Sequence, residues 1–537
     1  MAVPYRLTLI AAIASALLLW AASPAVGAGW VAWVALVPAA AATLASPGTR
    51  AARLAIPLAY AIHLELLLVP AFPFGLADGQ WGDPLLPVLV AGSPVLAIAL
   101  VAVPLVCAAL YLVRFGEPWG AGRLRGGTAI AAVVVVPALA WTALDFARAN
   151  LDPAGLWGPL FLSQADEAAG AIAALGGPWL VTFAIVAVNY AIAVALVRRR
   201  PRILLAPAAI AAALVVGGGL VEDDGSTAAG VRVAAIQPGY DTAESGRPEL
   251  RQFTPGSYDR AALDLARDQG ELTGEAARAG AELVLWPEAS MYADPRAVPP
   301  VRDYLARLVE ATGVAIVIPF FLPRPVAEGQ VLAVEPTAEG ARFTDTRRKH
   351  RPLWFLGERP ADRPLGPLET AGLSLGPLLG TDTLNARFAG RLTAGGAGLL
   401  VSATHDWHQS AVPARAYAQL AARATGAPLL RADWRYGSAV YRADGELAAD
   451  AGGERLRTVV VAEIPLGAGA TPYARAGDFV GWAAVAAVGL AVAGWALGFS
   501  RAGGRAGGDR APRRGPPRKR PSRAQPRAAD GPKPPPP

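Results

Sequence analysis

Cysteine is nearly absent from this chain of 537 residues, in which Cys107 is the only one. A single thiol excludes an intramolecular disulfide, so an exported part of the chain must be stabilised by its apolar core. Histidine is also scarce, with four residues. His405 and His408 lie beside Asp406, but side chains this close together on a strand-to-loop segment cannot all converge on one ion. We therefore expect no metal site, and we expect no cofactor.

Charge is low as well, since 17% of the residues are charged and 53% are hydrophobic, with a mean hydropathy of +0.36. This balance argues against a purely soluble protein. Because ~20 apolar residues cross a bilayer, we predict an α-helical polytopic membrane domain at 1–220, with about seven transmembrane helices, and a closing transmembrane helix at 478–500. The apolar runs lie at 7–22, 28–46, 52–72, 86–113, 128–147, 171–197, 203–220 and 479–499. A buried core helix is the alternative for any one of these runs.

Arginine occupies every second loop between the apolar runs, for example at Arg6, Arg50, Arg123 and 198–200. Positive charge in short loops is retained in the cytoplasm, so the pattern predicts cytoplasmic termini and an extracytoplasmic segment at 221–477. The alternative for the first run is a cleaved signal peptide, since small residues follow its apolar core.

The carboxyl-terminal segment at 501–537 is basic and rich in Pro and Gly. It has eleven Arg or Lys and two Asp, a net charge of +9 against +7 for the whole chain. This composition predicts a disordered cytoplasmic tail. A basic segment beside a membrane favours contact with anionic lipid, and we expect no nucleic acid as a partner.

Short apolar strands and amphipathic helices alternate between the last two apolar runs. The strand predictions are 231–236, 282–286, 314–321, 398–403 and 428–431, and the helix predictions are 258–279 and 411–425. The order predicts a layered α/β domain at 221–477.

Several segments of this domain resemble motifs of the carbon-nitrogen hydrolase, or nitrilase, superfamily: VAAIQP, LVLWPEAS, RKHRPLWFLGE, GLLVSATHDW and GAPLLRADWRYGSAVYRADGEL. Upstream, ALDFARANL, LWGPLFLSQ and LGGPWLVTFAIVAVNYAI resemble the membrane part of the apolipoprotein N-acyltransferase family. The resemblance covers about residues 1–500. It implies a nitrilase-like αββα sandwich, attached to a multi-pass membrane domain in the bacterial cell (inner) membrane.

By this resemblance, the reaction transfers an acyl chain from a phospholipid to the amino-terminal amine of a lipoprotein. A Cys thiolate forms a thioester, a Glu acts as general base, and a Lys stabilises the oxyanion. The motifs place the base at Glu288, the lysine at Lys349 and a supporting carboxylate at Glu358. Taken alone, Glu288 is a strand-terminal surface residue and Lys349 is one cation of a basic loop. The implied partners are the phospholipid donor, the lipoprotein acceptor and the membrane.

The nucleophile position falls in LLGTDT, where Gly380 stands in place of the cysteine and Asp382 in place of a glutamate. Thr381, Thr383 and Ser402 are hydroxyls nearby, but each is misplaced in the motif, and a hydroxyl needs stronger activation than a thiol. Further departures from the family pattern occur at His405, Trp434 and Arg435. Bulky residues at the last two positions would reshape the groove that these positions line in the family.

Two function classes stay open. One is an enzyme of the apolipoprotein N-acyltransferase family that uses an unexpected nucleophile or performs a changed reaction on a lipid. The other is a catalytically inactive homologue that binds a lipid, a lipoprotein or a membrane partner as a scaffold.

Overall fold

The computed structural model describes residues 4–46, 49–71, 127–151, 157–222, 230–240, 257–322, 326–352, 357–406, 408–467 and 469–506. The apolar run at 86–113, with Cys107, and the tail beyond residue 506 lie outside the described residues. The described residues up to Val488 belong to one packed unit, and 489–506 belong to a second.

The amino-terminal part is helical. Its helices are α1 (Tyr5–Ala21), α2 (Ala32–Ala35), α3 (Val37–Ala45), α4 (Arg50–Ala71), α5 (Gly127–Leu151), α6 (Ala173–Gly176), α7 (Pro178–Arg198) and α8 (Leu205–Glu222), with 3-10 turns at Gly29–Val31, Leu160–Gln164, Ala168–Ile172 and Pro201–Leu204.

Two of the apolar runs are not single helices. The run at 28–46 is divided into a 3-10 turn, α2 and α3, and Pro38 lies in the first turn of α3. The run at 171–197 is interrupted at Gly177, which has φ +77° and precedes Pro178 at the start of α7. Proline lacks the backbone donor that a continuing helix requires, so it is tolerated in a first turn and disfavoured in a helix interior.

Three helices among the described residues are long and apolar enough to cross a membrane: Ile130–Asn150, Pro178–Arg198 and Pro201–Val221. Shorter apolar helices lie at Tyr5–Ala21, Gly29–Ala45 and Phe479–Ala493. The eight-span topology therefore stays a prediction.

The part of the chain that follows α8 is an α/β domain. Its strands are β1 (Gly230–Gln237), β2 (Leu283–Leu285), β3 (Ala315–Leu322), β4 (Glu328–Thr337), β5 (Gly340–Phe343), β6 (Arg347–Arg348), β7 (Leu368–Thr370), β8 (Leu373–Leu379), β9 (Leu399–Thr404), β10 (Leu429–Asp433), β11 (Ala439–Tyr441), β12 (Leu447–Asp450) and β13 (Thr458–Pro465). Its helices are α9 (Ser257–Arg278), α10 (Pro299–Thr312), α11 (Ala386–Ala394), α12 (His408–Thr425) and α13 (Pro472–Ala476), and α14 (Phe479–Ala506) ends the described chain.

Within the described residues the strands form two sheets. One has the order β13-β1-β2-β3-β4-β5, with β6 paired to β4, and the other has the order β12-β11-β10-β9-β8-β7. In each sheet the central strands are parallel, and the outer strands add antiparallel. The carboxyl ends of the parallel strands meet at one edge of each sheet, where Glu288 follows β2 in the first sheet and Gly380 follows β8 in the second.

The side chains of β1 show how the layers form. Val233 and Ala235 face the apolar core between the two sheets, while Ala234 and Ile236 face the core beneath α9 and α10. Successive side chains of a strand point to opposite faces of the sheet, so apolar residues at consecutive positions bury both faces of β1. On the other side, Leu378 and the second sheet pack against α11 and α12. The result is a four-layered αββα sandwich, which confirms the predicted α/β domain.

Helix α12 is buried on two faces. Ala418 and Ala421 pack towards the second sheet, whereas Tyr417 and Leu420 belong to the core of the helical part. The Tyr417 ring meets Phe161 edge-on, with 5.7 Å between the ring centroids. Packing of this kind joins the α/β domain directly to the apolar helices.

Candidate active site

Glu288 follows β2 after a Trp-Pro pair and is held through its backbone. Its amide donates to the carbonyl of Thr404 at 3.4 Å, and its carbonyl accepts from Trp434 Nε1 at 2.7 Å. The next residue, Ala289, has φ +53°, a left-handed conformation that is unusual for a residue with a side chain. The backbone therefore turns sharply directly after Glu288, at a cost of about 1 to 3 kcal/mol.

Lys349 follows β6, and its amide donates to the carbonyl of Gly329 at 3.0 Å. Its Nζ lies 3.0 Å from Oε1 of Glu288 and 3.1 Å from Oε2 of Glu358. The lysine side chain is 3% exposed, so both ion pairs are screened little by solvent. The cluster thus unites three residues that the sequence motifs single out.

The ammonium of Lys349 stays charged in this cluster. Burial by itself lowers the pKa of Lys349, but the carboxylates of Glu288 and Glu358 outweigh it and hold the pKa above its usual value. One cation between two carboxylates satisfies donors and acceptors that would be costly to bury alone.

Gly380 begins the 3-10 turn Gly380–Asp382 after β8, with φ +49°. A Cβ atom at this position would lie 2.4 Å from Oε2 and 2.5 Å from Oε1 of Glu288. Carbon and oxygen atoms do not approach so closely without displacement. The carboxylate of Glu288 therefore occupies the space in which a side chain of residue 380 would begin.

Asp382 anchors the loop that follows Lys349. Its Oδ1 accepts from the amides of His350 at 3.1 Å and Arg351 at 2.6 Å. Burial raises the pKa of Asp382 to about 6, against the opposing effect of these hydrogen bonds and of the Lys349 charge. Its observed role is to position the lysine loop.

The hydroxyls near Gly380 are engaged elsewhere. Thr381 Oγ1 donates to the carbonyl of Arg351, and Thr383 Oγ1 lies 2.7 Å from Ser402 Oγ. Within the part of the chain that the structure describes, none of these hydroxyls is hydrogen-bonded to Glu288 or Lys349. Neither Glu288 nor Lys349 is therefore in place to activate them in the described part of the chain.

Trp434 supports Glu288 from within the fold. It is fully buried, and its ring lies 6.0 Å from His405 and 5.7 Å from Tyr240, between centroids. Its indole nitrogen makes the bond to the Glu288 carbonyl described above. Because Trp434 is fully buried, it has no exposed surface with which to line a groove, and the expectation is wrong for this residue. The sequence motif singles out this position but does not predict that its indole binds the Glu288 carbonyl.

Asp406, which lies beside the two histidines of the motif, is instead paired with the buried guanidinium of Arg431. Asp433 accepts from the Asp406 amide at 2.9 Å and lies 3.9 Å from the same guanidinium. Burial raises the pKa of Asp406 to about 7, with Arg431 acting in the opposite direction. Among the described residues, no group of three His, Cys, Asp or Glu side chains is placed to hold a metal ion.

The sequence matches the carbon-nitrogen hydrolase family over residues 232–472. Residues 232–472 form a carbon-nitrogen hydrolase domain. This domain is similar to a carbon-nitrogen hydrolase from Helicobacter pylori G27, with 16% identity and a TM-score of 0.36, over 44% of this chain and 89% of that one. It is also similar to an amidase from Nesterenkonia sp., with 19% identity and a TM-score of 0.35, over 45% and 92% of the respective chains. No curated protein sequence matches significantly.

The domain at 232–472 thus brings two carboxylates and a lysine into contact. Gly380, the position that the sequence motif predicts for a nucleophile, lies against one of these carboxylates and has no side chain.

Proposed function

We propose that this protein is a membrane-anchored homologue of the apolipoprotein N-acyltransferase family that binds an acylated ligand and does not transfer the acyl chain. The observation that carries the proposal is the contact between Glu288 and Gly380, where the carboxylate fills the space of a missing side chain. A ping-pong transfer needs a nucleophile that attacks the ester and then carries the acyl group. Glycine offers no such atom.

The cluster around Lys349 supports the same proposal. An oxyanion-stabilising lysine must direct its charge towards the reacting oxygen. Here the Nζ of Lys349 is already bound by Glu288 and Glu358 at 3.0 and 3.1 Å. These ion pairs stabilise the site. They already neutralise the charge of Lys349, so no substrate is needed to balance it.

The membrane topology belongs to this proposal. The carbon-nitrogen hydrolase domain faces the extracytoplasmic side of a bacterial inner membrane, both termini are cytoplasmic, and the basic tail lies on anionic lipid. The three long apolar helices and the packing of α12 against the helical part support a membrane attachment. A diacyl or triacyl lipoprotein, or a phospholipid, is the acylated ligand that such a location offers.

A lipoprotein acylation assay in a strain depleted of its own N-acyltransferase tests the proposal. We expect no triacylated product from the unmodified protein. Triacylated product that disappears in Glu288→Ala, and not in the exposed control Glu339→Ala, would overturn the proposal and establish an enzyme with another nucleophile.

The variant Gly380→Cys, measured in the same assay, tests whether the thiol is the only group that the site lacks for acyl transfer. We expect no product from this variant, because residue 380 has φ +49° and the new Cβ would meet the Glu288 carboxylate. Gly452→Cys is the matched control, since Gly452 has φ +69° and nothing lies within 4 Å of its added Cβ. Product from Gly380→Cys would show that the rest of the machinery is intact and that the site is blocked only by its residue type.

A further inference from the structure

A second charge cluster, distinct from the cluster around Lys349, lies at the carboxyl ends of β9 and β10. It consists of Asp406, two residues beyond β9, and Arg431 and Asp433 of β10. The guanidinium of Arg431 is fully buried, is paired with Asp406 and lies 3.9 Å from Asp433. One cation thus faces two carboxylates, so the cluster carries an excess negative charge when both carboxylates are ionised.

The carboxylate of Asp433 is saturated with hydrogen-bond donors. Its Oδ1 accepts from the amides of Arg435 at 2.9 Å and Tyr436 at 2.6 Å. Its Oδ2 accepts from the Asp406 amide at 2.9 Å and from Thr404 Oγ1 at 3.0 Å. A proton on either oxygen would displace one of these donors, so this carboxylate is the fixed counter-charge of the guanidinium.

Asp406 is the carboxylate in excess. Its Oδ2 accepts from Arg431, while its Oδ1 lies 3.5 Å from Ser410 Oγ, beyond the usual length of a hydrogen bond between two oxygen atoms. The side chain is 16% exposed, so a proton from solvent reaches it. A neutral carboxyl group here still accepts from the guanidinium and gains an O–H donor for the Ser410 hydroxyl. The cluster can therefore take up one proton without losing the contact between Asp406 and Arg431.

The surroundings of Asp406 favour this proton. Burial raises the pKa of Asp406 to about 7. The guanidinium of Arg431 opposes this increase, and the carboxylates of Asp433 and Glu288 add to it, while His405 on the same segment favours the ionised form. Because the packed segment binds the proton more tightly than an open segment does, protonation stabilises the packed state. That stabilisation is fully present below pH 3.8 and is lost as the pH rises through about 7.

The same cluster adjoins both backbone anchors of Glu288. The Glu288 amide donates to the carbonyl of Thr404, whose Oγ1 is bound to Asp433. The Glu288 carbonyl accepts from Trp434, the residue after Asp433. On its other side, Asp406 lies two residues before the start of α12. A change of charge at Asp406 therefore acts on the segment that holds Glu288 and on the start of α12.

From this arrangement we propose that Asp406 is a proton-responsive switch. As a neutral carboxyl group it holds the backbone anchors of Glu288 and the start of α12 in the packed arrangement, and as a carboxylate it loosens them. This inference goes beyond the proposed function and does not depend on it, because it involves neither a ligand nor acyl transfer.

Hydrogen exchange of the full-length protein in detergent, followed by mass spectrometry, tests the proposal. Peptides covering 286–291 and 404–412 are compared between the unmodified protein and Asp406→Asn at the same pH, so that the pH dependence of chemical exchange cancels. Asparagine keeps the shape and the acceptor of the neutral carboxyl group. We expect exchange in the unmodified protein, relative to the variant, to become about tenfold faster or more between pH 5 and pH 8. Asp303→Asn, at an exposed position, is the matched control and should leave this ratio unchanged.

A ratio that stays constant between pH 5 and pH 8, in an Asp406→Asn variant that keeps the melting temperature of the unmodified protein, would refute the switch and leave Asp406 a purely structural role. If Asp406→Asn does not fold, the unmodified protein alone decides the question. Exchange of the peptide 404–412 is then compared with exchange of 299–312, which covers α10. A tenfold relative increase from pH 5 to pH 8 supports the proposal, and parallel rates for the two peptides would overturn it.

Discussion

The carboxylate of Glu288 lies beside Gly380, so close that a Cβ atom at residue 380 would be 2.4 Å from Oε2. The two residues come from different sheets, since Glu288 follows β2 and Gly380 follows β8. Their contact leaves no room for a side chain at residue 380 unless the carboxylate moves. The same carboxylate is bound by Lys349 at 3.0 Å, which limits its movement away from a new side chain.

Replacing Gly380 with alanine should therefore destabilise the protein. A left-handed backbone costs about 1 to 2 kcal/mol for a residue with a side chain, and the contact with Glu288 adds a clash of about 1 kcal/mol or more. The free energy of unfolding in detergent measures the sum. Gly452→Ala carries the backbone cost without the clash, because Gly452 has φ +69° and open space around it. Equal losses in the two variants would show that the Glu288 carboxylate moves aside freely.

Lys349→Met should destabilise the protein by about 3 to 5 kcal/mol, because it leaves two carboxylates in contact without their cation. Denaturant unfolding at pH 8 measures the loss, with the exposed Arg302→Met as control. A loss below about 1 kcal/mol at pH 8 would mean that the cluster is hydrated and contributes little.

The strands and helices around this site follow from local pattern. The five strand predictions all correspond to observed strands with ends displaced by one or two residues, because short apolar β-rich runs bury both faces of a strand. Local sequence pattern does not predict the contact between Glu288 and Lys349. Strands β3 to β6 lie between these residues in the chain, and tertiary pairing brings them together. The same holds for Trp434, whose partner is a backbone carbonyl 146 residues away. The apolar run at 28–46 was predicted to be continuous because hydropathy does not register the effect of Pro38 on helix geometry.

Asp382→Asn should change how stability depends on pH. The pKa of Asp382 is raised by burial to about 6 from its usual 3.8, so the folded protein binds this proton more tightly than the unfolded chain does. Its contribution to the free energy of unfolding is fully present below pH 3.8 and is lost as the pH rises through 6, a decrease of about 3 kcal/mol. The free energy of unfolding should therefore decrease less between pH 4 and pH 7 in Asp382→Asn than in the unmodified protein. Parallel curves for the two proteins would place the titration on another group.

Trp434→Phe should separate the hydrogen bond to Glu288 from the packing around it. The substitution retains an aromatic ring beside Tyr240 and His405 but removes the indole donor, which leaves the Glu288 carbonyl without its 2.7 Å bond. An unsatisfied buried acceptor costs about 1 to 3 kcal/mol, so the free energy of unfolding should fall by that amount. Trp482→Phe is the control, because Trp482 is 56% exposed and meets Phe146 by ring contact. If Trp434→Phe were no more destabilising than Trp482→Phe, the backbone of Glu288 would be held by the strand geometry alone, and the indole would act only as a space-filling ring.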